Sequence, residues 1–84
     1  MGKILITGAA GQLGSELTSA LASTFGAENI IATDINEAAA AKFDYCTFET
    51  LNVMDKDRLA SLVRTYEVSE IYHLAAILSA AGEK

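Results

Sequence analysis

Short apolar runs and one amphipathic stretch alternate over the first third of the chain. Residues 3–7 are β-branched and apolar, which is typical of a strand buried on both faces. Residues 12–25 have apolar side chains at four-residue intervals and predict a helix that ends near Gly26. The expected buried stripe is Leu13, Leu17, Ala20, Leu21 and Phe25, with Ser15, Glu16 and Ser19 facing away. Residues 29–33 predict a second strand that ends at Asp34, which completes a βαβ unit.

The second half of the chain has a less regular pattern. Residues 36–46 favour helix by propensity but show no apolar stripe, which predicts a short helical turn or a loop. Residues 47–51 alternate like a strand, and Asp55 follows at a position where it can cap a helix. The apolar face of that helix is expected to contain Leu59, Leu62, Val63 and Tyr66. Residues 70–74 predict the last strand.

The order of these elements predicts an α/β fold. Two βαβ-like halves give four parallel strands, and right-handed crossovers place the helices on opposite faces of the sheet. If the chain turns back at the first strand, the spatial order of the strands is 3-2-1-4. The sequence has no proline and no repeat or linker that marks a boundary. We therefore expect one half of a doubly wound parallel sheet, with residues 1–84 as a single unit.

Composition and charge limit the expected partners. The 84 residues are 51% hydrophobic and 20% charged, as in ordinary globular domains, and the net charge is −5. This charge argues against nucleic acid and anionic membrane surfaces as partners, and no apolar run reaches the roughly 20 residues of a membrane span. Cys46 is the single cysteine, so no internal disulfide forms and a cytoplasmic location is the default expectation. One cysteine and one histidine predict no metal site.

A glycine-rich loop connects the first strand to the first helix. Gly8, Gly11 and Gly14 follow the spacing G-x-x-G-x-x-G. In this position Gly8 suits a tight turn, Gly11 lets a phosphate approach the backbone, and Gly14 lets the helix pack close to the strand. The amides at the start of the helix then face an anion. The loop predicts a phosphate-binding site, with a purely structural glycine turn as the alternative.

An acidic residue at the end of the second strand complements this loop. Asp34 lies twenty residues after Gly14, where a carboxylate can accept both hydroxyls of an adenosine ribose. The same carboxylate repels a 2′-phosphate, and Ile35 and Asn36 follow it with no adjacent lysine or arginine. The sequence therefore favours NAD over NADP. The alternative is an ordinary solvated aspartate at a strand end.

These motifs together resemble a known enzyme family. The segment Thr7–Gly14, Asp34 and the run Tyr72–Ala76 resemble the start of an extended short-chain dehydrogenase/reductase of the NAD-dependent epimerase/dehydratase family. Within that family, Gly11–Leu17 and His73–Lys84 are most similar to L-threonine 3-dehydrogenases. The resemblance covers all 84 residues and implies a Rossmann-type fold with NAD as the cofactor.

The resemblance also implies a role for individual residues. The pyrophosphate is expected at Gly8, Gly11, Gln12 and Leu13, and the adenosine ribose at Asp34 and Ile35. Asn52, followed by Val53, stands where the family commonly has an aspartate that binds the adenine amino group, and both residues are expected at the adenine. Leu74, Ala75 and Ala76 are expected on the nicotinamide side, and Ser79 beside the substrate.

The catalytic pair of the family is not found in this sequence. Related enzymes use Tyr-x-x-x-Lys, in which the lysine lowers the pKa of the tyrosine so that it takes the substrate proton. The residues four positions after the three tyrosines are Glu49, Glu70 and Ala76. We therefore expect an inactive N-terminal part of an NAD-binding domain, with the catalytic and substrate regions absent. The alternatives are a part of a sugar-nucleotide epimerase or dehydratase, and a nucleotide-binding module without catalysis.

The sequence also supports predictions for two further residues and one segment. His73 is expected to be packed or hydrogen-bonded rather than a general base, and Cys46 is expected to be a packed thiol. The last strand, at residues 70–74, has apolar side chains and an unpaired edge, which leads to the hypothesis of a homodimer through that edge.

Overall fold

The computed structural model describes residues 2–74 and contains one four-stranded parallel sheet. The strands are β1 (Lys3–Thr7), β2 (Ile30–Asp34), β3 (Thr47–Thr50) and β4 (Val68–His73). Their spatial order is β3-β2-β1-β4, and all three pairings are parallel. The predicted α/β fold class and strand order are therefore confirmed.

Two α-helices connect these strands. Helix α1 spans Gln12–Phe25, and Gly26, with φ of 94°, ends it in a conformation that favours glycine. Helix α2 spans Lys56–Tyr66 and has the predicted cap, because Asp55 accepts a hydrogen bond from the amide of Arg58 at 3.1 Å. Over residues 2–74, neither helix combines the length and the apolar character needed to cross a bilayer.

The core has two layers, one on each face of the sheet. Ile4 and Ile6 of β1 point to one face, where they pack with Leu21 of α1. Leu5 points to the other face and packs with Leu62 of α2. This alternation follows from the two-residue period of a strand, and it confirms that the helices lie on opposite faces.

The buried face of α1 differs from the predicted stripe. Gly14, Thr18 and Leu21 are the buried residues of the helix, whereas Leu13 is 54% exposed and Phe25 is 46% exposed. A four-residue step exceeds one helical turn, so a stripe with that spacing winds around the helix by about 40° at each step. Leu13 and Phe25 therefore lie at the margins of the buried face, and the full-length stripe was a wrong prediction.

Two smaller predictions about α1 are also wrong. Ala20, assigned to the buried stripe, is exposed. Ser15, assigned to the outer face, is half-buried, and its hydroxyl donates to the carbonyl oxygen of Ala9 at 3.1 Å. Thr18 is fully buried, and its hydroxyl is satisfied because it donates to the carbonyl oxygen of Gly14 at 2.7 Å within the same helix. Local hydrogen bonds thus let two polar side chains lie on the inner side of α1.

Strand limits shift by one or two residues from the sequence pattern. β2 begins at Ile30 rather than Asn29, because Ala27–Asn29 forms a 3₁₀ turn whose last amide donates to Gly26. β3 ends at Thr50 rather than Leu51. β4 starts at Val68, where it pairs with Lys3, and ends at His73 rather than Leu74.

A 3₁₀ helix occupies the segment predicted as a helical turn or loop. It spans Glu37–Phe43, and the side chain of Asn36 caps it by accepting from the amide of Ala38 at 3.1 Å. Ala39 and Phe43 are buried in the core on the α1 side of the sheet. The segment therefore has an apolar contact surface that the sequence pattern did not show, and this surface fixes it against the sheet.

Candidate functional site

The order in which successive strands are added to the sheet reverses at β1, which places a crevice at the carboxyl edge of the sheet. β2 and β3 lie on one side of β1, and β4 lies on its other side. In doubly wound sheets the carboxyl ends of the strands on either side of such a switch point form the ligand crevice. Thr7, Asp34 and His73 are the residues that end β1, β2 and β4 at this edge.

The glycine loop is a tight turn held by backbone contacts. Gly8 has φ of 70°, a conformation that side chains disfavour. A Cβ atom on Gly14 would lie 2.3 Å from the carbonyl oxygen of Gly8, so only glycine allows this approach of α1 to the loop. Gly11 caps α1 without a side-chain hydrogen bond, and no acidic residue lies in the first helical turn. The start of α1 is thus not capped by a side chain.

Asp34 joins the end of β2 to this loop. Its Oδ2 atom accepts from the amide of Ala10 at 3.0 Å, and its Oδ1 atom accepts from the amide of Asn36 at 3.0 Å. Each carboxylate oxygen offers about two lone-pair sites, so each keeps one acceptor site. The arrangement leaves Asp34 able to accept two hydroxyl groups while it holds the loop.

A cleft of about 350 Å³ lies beside Asp34. Five residues predicted to hold the cofactor line it, together with two that were not predicted. The predicted residues are Gly8, Asp34, Ile35, Asn52 and Val53, and the others are Leu51 and Met54. The structure thus brings together the residues assigned to the ribose and the adenine, which come from two separate segments, and places Gly8 of the glycine loop beside them.

The walls of this cleft combine apolar and polar groups. Ile35 is 66% exposed and Met54 is 81% exposed, so both can cover a flat ring. Asn52 accepts from the amide of Met54 at 3.0 Å through Oδ1, which uses one lone pair of that oxygen. Met54 was missed because an exposed methionine in a loop has no pattern of its own.

Some predicted residues lie outside this cleft. Gln12 and Leu13 are exposed at the first turn of α1 and do not line it. Leu74 is buried in the core on the α1 side. Ala75, Ala76 and Ser79 lie outside the described residues. The contacts predicted for the nicotinamide side therefore stay predictions.

Lys42 reaches the glycine loop from the 3₁₀ helix. Its ammonium group donates to the carbonyl oxygen of Ala10 at 3.4 Å. No sequence signal indicated this contact, because 32 residues separate the two positions and Lys42 is not adjacent to Asp34. The fold thus brings a cation from a separate segment of the chain to the glycine loop.

At the switch point, β1 and β4 are joined by side chains. Thr7 Oγ1 lies 3.2 Å from Nδ1 of His73, and the two residues are paired in the parallel register. This agrees with the interpretation of His73 as a hydrogen-bonded histidine. The contact fixes the separation of the two strand ends at the mouth of the crevice.

The thiol of Cys46 and the phenols of Tyr45 and Tyr66 all have a raised pKa. Burial raises the pKa of the Cys46 thiol, which disfavours the thiolate, although a backbone hydrogen bond from Ala32 opposes this. The pKa of Tyr66 is raised by its hydrogen bond to Glu49, and the pKa of Tyr45 is raised by burial. A tyrosine that accepts a substrate proton needs a lowered pKa, so neither side chain suits that role.

A second, smaller cleft of about 160 Å³ lies at the opposite edge of the sheet. Ile4, Phe25 and Glu70 are among the residues that line it. None of the residues predicted to bind the cofactor is there, so it has no part in the candidate site.

Comparison with known proteins agrees with this geometry. Residues 4–84 match the model of the NAD dependent epimerase/dehydratase family. An uncharacterized epimerase/dehydratase from Staphylococcus aureus is 46% identical over 85 residues, which cover 100% of this chain and 26% of the relative. The chain thus spans about a quarter of the length of that curated relative.

Solved structures show the same fold. The holo form of a GalE-like L-threonine dehydrogenase from Cupriavidus necator is 44% identical, with a TM-score of 0.84 over 96% of this chain and 26% of that one. L-threonine dehydrogenase from Clostridium difficile is 43% identical, with a TM-score of 0.76 over 87% and 23%. UDP-glucose 4-epimerase from Brucella ovis, at 22% identity and a TM-score of 0.71, shares the fold. The chain belongs to the NAD-dependent epimerase/dehydratase family.

Proposed function

We propose that this chain is the NAD-binding part of an oxidoreductase similar to L-threonine 3-dehydrogenases. The observation that carries the proposal is the link between Asp34 and the glycine loop, which places a carboxylate with free acceptor sites beside a cleft. The similarity to the L-threonine dehydrogenase from Cupriavidus necator, at 44% identity, supports this class of substrate.

The residues present fit an adenine dinucleotide. Asp34 would accept the ribose hydroxyls, since one acceptor site remains on each carboxylate oxygen. Asn52 and Val53 would hold the adenine, with Ile35 and Met54 as apolar walls. The backbone of the glycine loop and the start of α1 would face the pyrophosphate, because no side chain caps that end of the helix.

The proposed reaction divides its tasks between this part of the protein and others. When bound, NAD would supply the acceptor for a hydride from the carbon that carries the hydroxyl group of the substrate, here proposed to be L-threonine. This chain binds and orients the adenosine and pyrophosphate groups. None of its three tyrosines has a lysine four residues later, so it does not supply the Tyr-x-x-x-Lys pair that related enzymes use to take the hydroxyl proton.

The name of the Staphylococcus aureus relative, at 46% identity, favours a second candidate, an epimerase or dehydratase. Both candidates require the same NAD site, so cofactor binding does not separate them. Assays of the full-length protein with L-threonine and with a nucleotide sugar would do so. Reduction of NAD by L-threonine supports the dehydrogenase, whereas conversion of the nucleotide sugar alone overturns it.

An NAD titration of the purified 84-residue chain by calorimetry, with circular dichroism on the same sample, tests the cofactor proposal. We expect saturable binding to a folded chain. A folded chain that gives no heat and no shift of NMR resonances with NAD would contradict the proposal. An unfolded chain would contradict the expectation that this unit forms the site by itself.

We also propose a homodimer through the edge of β4. Glu70, Ile71 and His73 are exposed on this strand, and its outer edge has no partner strand within residues 2–74. Sedimentation velocity at rising concentration tests this: a shift toward the dimer mass is expected, and a monomer at the highest concentration would overturn it.

A further inference from the structure

Two side chains of opposite charge, Asp34 and Lys42, form hydrogen bonds with the backbone of the same residue of the glycine loop, Ala10. The amide of Ala10 donates to the Asp34 carboxylate at 3.0 Å, and its carbonyl oxygen accepts from the Lys42 ammonium at 3.4 Å. Asp34 lines the cleft in which the proposed function places the adenosine ribose. Lys42 therefore brings a positive charge to the same end of the site.

The position of Lys42 is fixed by its neighbours in the 3₁₀ helix. Phe43, the next residue, is 2% exposed and stacks on Phe48 with ring centroids 5.7 Å apart. Ala39, three residues earlier, is also buried. With both sides of its backbone anchored in the core, Lys42 has a constrained Cα position, and only its side chain is free to adjust.

The charge of Lys42 is not neutralised by an ion pair within residues 2–74. Arg58, by comparison, forms a salt bridge with Glu49 at 3.0 Å and also donates to the carbonyl oxygen of Thr50. The ammonium of Lys42 instead contacts a neutral carbonyl, and it is exposed. Its positive charge can therefore attract an anion that enters this end of the cleft.

We propose that Lys42 is a specificity-determining residue that sets how strongly the site rejects a 2′-phosphate. NAD and NADP differ only at the adenosine 2′ position, where NADP has a phosphate of about −2 charge. Asp34 repels this group, and Lys42 attracts it. The preference for NAD then depends on the balance between the two charges. This inference rests on the proposed cofactor site, and it involves a residue that is not adjacent to Asp34 in the sequence.

A pair of small ligands isolates the effect of the 2′-phosphate. AMP and adenosine 2′,5′-bisphosphate differ only by that group, and both address the adenosine half of the site. NMR titrations of the ¹⁵N-labelled chain give a Kd for each ligand, with the amides of the glycine loop as reporters. The selectivity is the ratio of the Kd of the bisphosphate to the Kd of AMP.

The test variant is Lys42→Met, which removes the charge and keeps a long apolar side chain. The matched control is Lys3→Met, because Lys3 also donates to a backbone carbonyl, that of Glu28 at 3.1 Å, but lies at the amino end of β1. Both variants lose one positive charge, so an effect of net charge alone appears equally in both.

We expect Lys42→Met to raise the selectivity ratio about fivefold at low salt, as for one charge at close range in a partly solvated site. In 0.5 M salt this increase in the selectivity ratio should be smaller, by a factor on the order of a few-fold, because exposed charges are screened. Lys3→Met should leave the ratio unchanged. An unchanged ratio in Lys42→Met, or an equal change in both variants, overturns the inference while AMP binding still supports the proposed function. Failure of the wild-type chain to bind AMP overturns the proposed function itself.

Discussion

The Oδ2 atom of Asp34 accepts a hydrogen bond from the amide of Ala10 at 3.0 Å, which connects the end of β2 to the glycine loop. The carboxylate that is proposed to bind the ribose therefore also holds the loop that is proposed to bind the pyrophosphate. A change at Asp34 should affect both halves of the site. Comparison of ligands that need one or both halves separates these effects.

Replacement of Asp34 by alanine should weaken NAD binding by about tenfold, since hydrogen bonds to a charged group contribute about 1.5–3 kcal/mol. NADP should be affected less, because the substitution also removes the repulsion of its 2′-phosphate. Calorimetric titration with both dinucleotides measures the two effects. Asp44→Ala is the matched control, because Asp44 is exposed just before β3 begins, at the opposite edge of the sheet. Equal losses for NAD and NADP would contradict the ribose role of Asp34.

Gly14→Ala should destabilise the fold and disturb the loop. The new Cβ would lie 2.3 Å from the carbonyl oxygen of Gly8 and 2.8 Å from Cα of Ala9, so backbone atoms must move. A loss of about 1–3 kcal/mol in the free energy of unfolding is typical of such overpacking. Urea denaturation measures it, with Ser19→Ala, at an exposed position of the same helix, as the control. Full stability of Gly14→Ala would show that α1 tolerates a wider separation from the loop.

Some elements of the fold and of the site could be predicted from the sequence, and others could not. β1 and β2 were predictable because strands buried on both faces are continuous apolar runs, and the glycine spacing marks the turn after β1. The contact of Lys42 with Ala10 was not predictable from the sequence, because it depends on how the 3₁₀ helix packs against the sheet. The inner face of α1 was misassigned for a similar reason. Gly14 and Thr18 are buried through close packing and an internal hydrogen bond, which hydrophobicity does not encode.

The hydrogen bond between Thr7 and His73 should contribute to stability at the carboxyl edge. Thr7→Val keeps the shape of the side chain and removes the hydroxyl that lies 3.2 Å from Nδ1 of His73. We expect a loss of about 1 kcal/mol in the free energy of unfolding and a shift of the His73 imidazole resonances. Thr24→Val, at an exposed helical position, is the control. Imidazole resonances that do not move in Thr7→Val would contradict the contact.

Tyr66 should make stability depend on pH in the alkaline range. Its hydrogen bond to Glu49 raises the pKa of the phenol above the ordinary value of 10.0. A raised pKa in the folded state means that the neutral phenol stabilises the fold below pH 10.0, and that this contribution is lost as the pH rises through the folded-state pKa. The free energy of unfolding of the wild type should therefore fall more steeply above pH 10.0 than that of Tyr66→Phe. Tyr45, whose pKa is also raised, is present in both chains and cancels in the comparison. Parallel curves for the two chains would contradict the role of this contact.

The amides of Ala9 and Ala10 both donate hydrogen bonds to the end of β2. The first donates to the carbonyl oxygen of Thr33 at 3.0 Å, and the second donates to the carboxylate of Asp34. The loop is thus ordered by folding, so a ligand that arrives does not have to arrange it. The entropic cost of ordering the loop is therefore part of the free energy of folding and does not reduce the free energy of binding. A mononucleotide should therefore meet a preorganised half-site, and its affinity should reflect its own contacts with little loss to rearrangement of the protein.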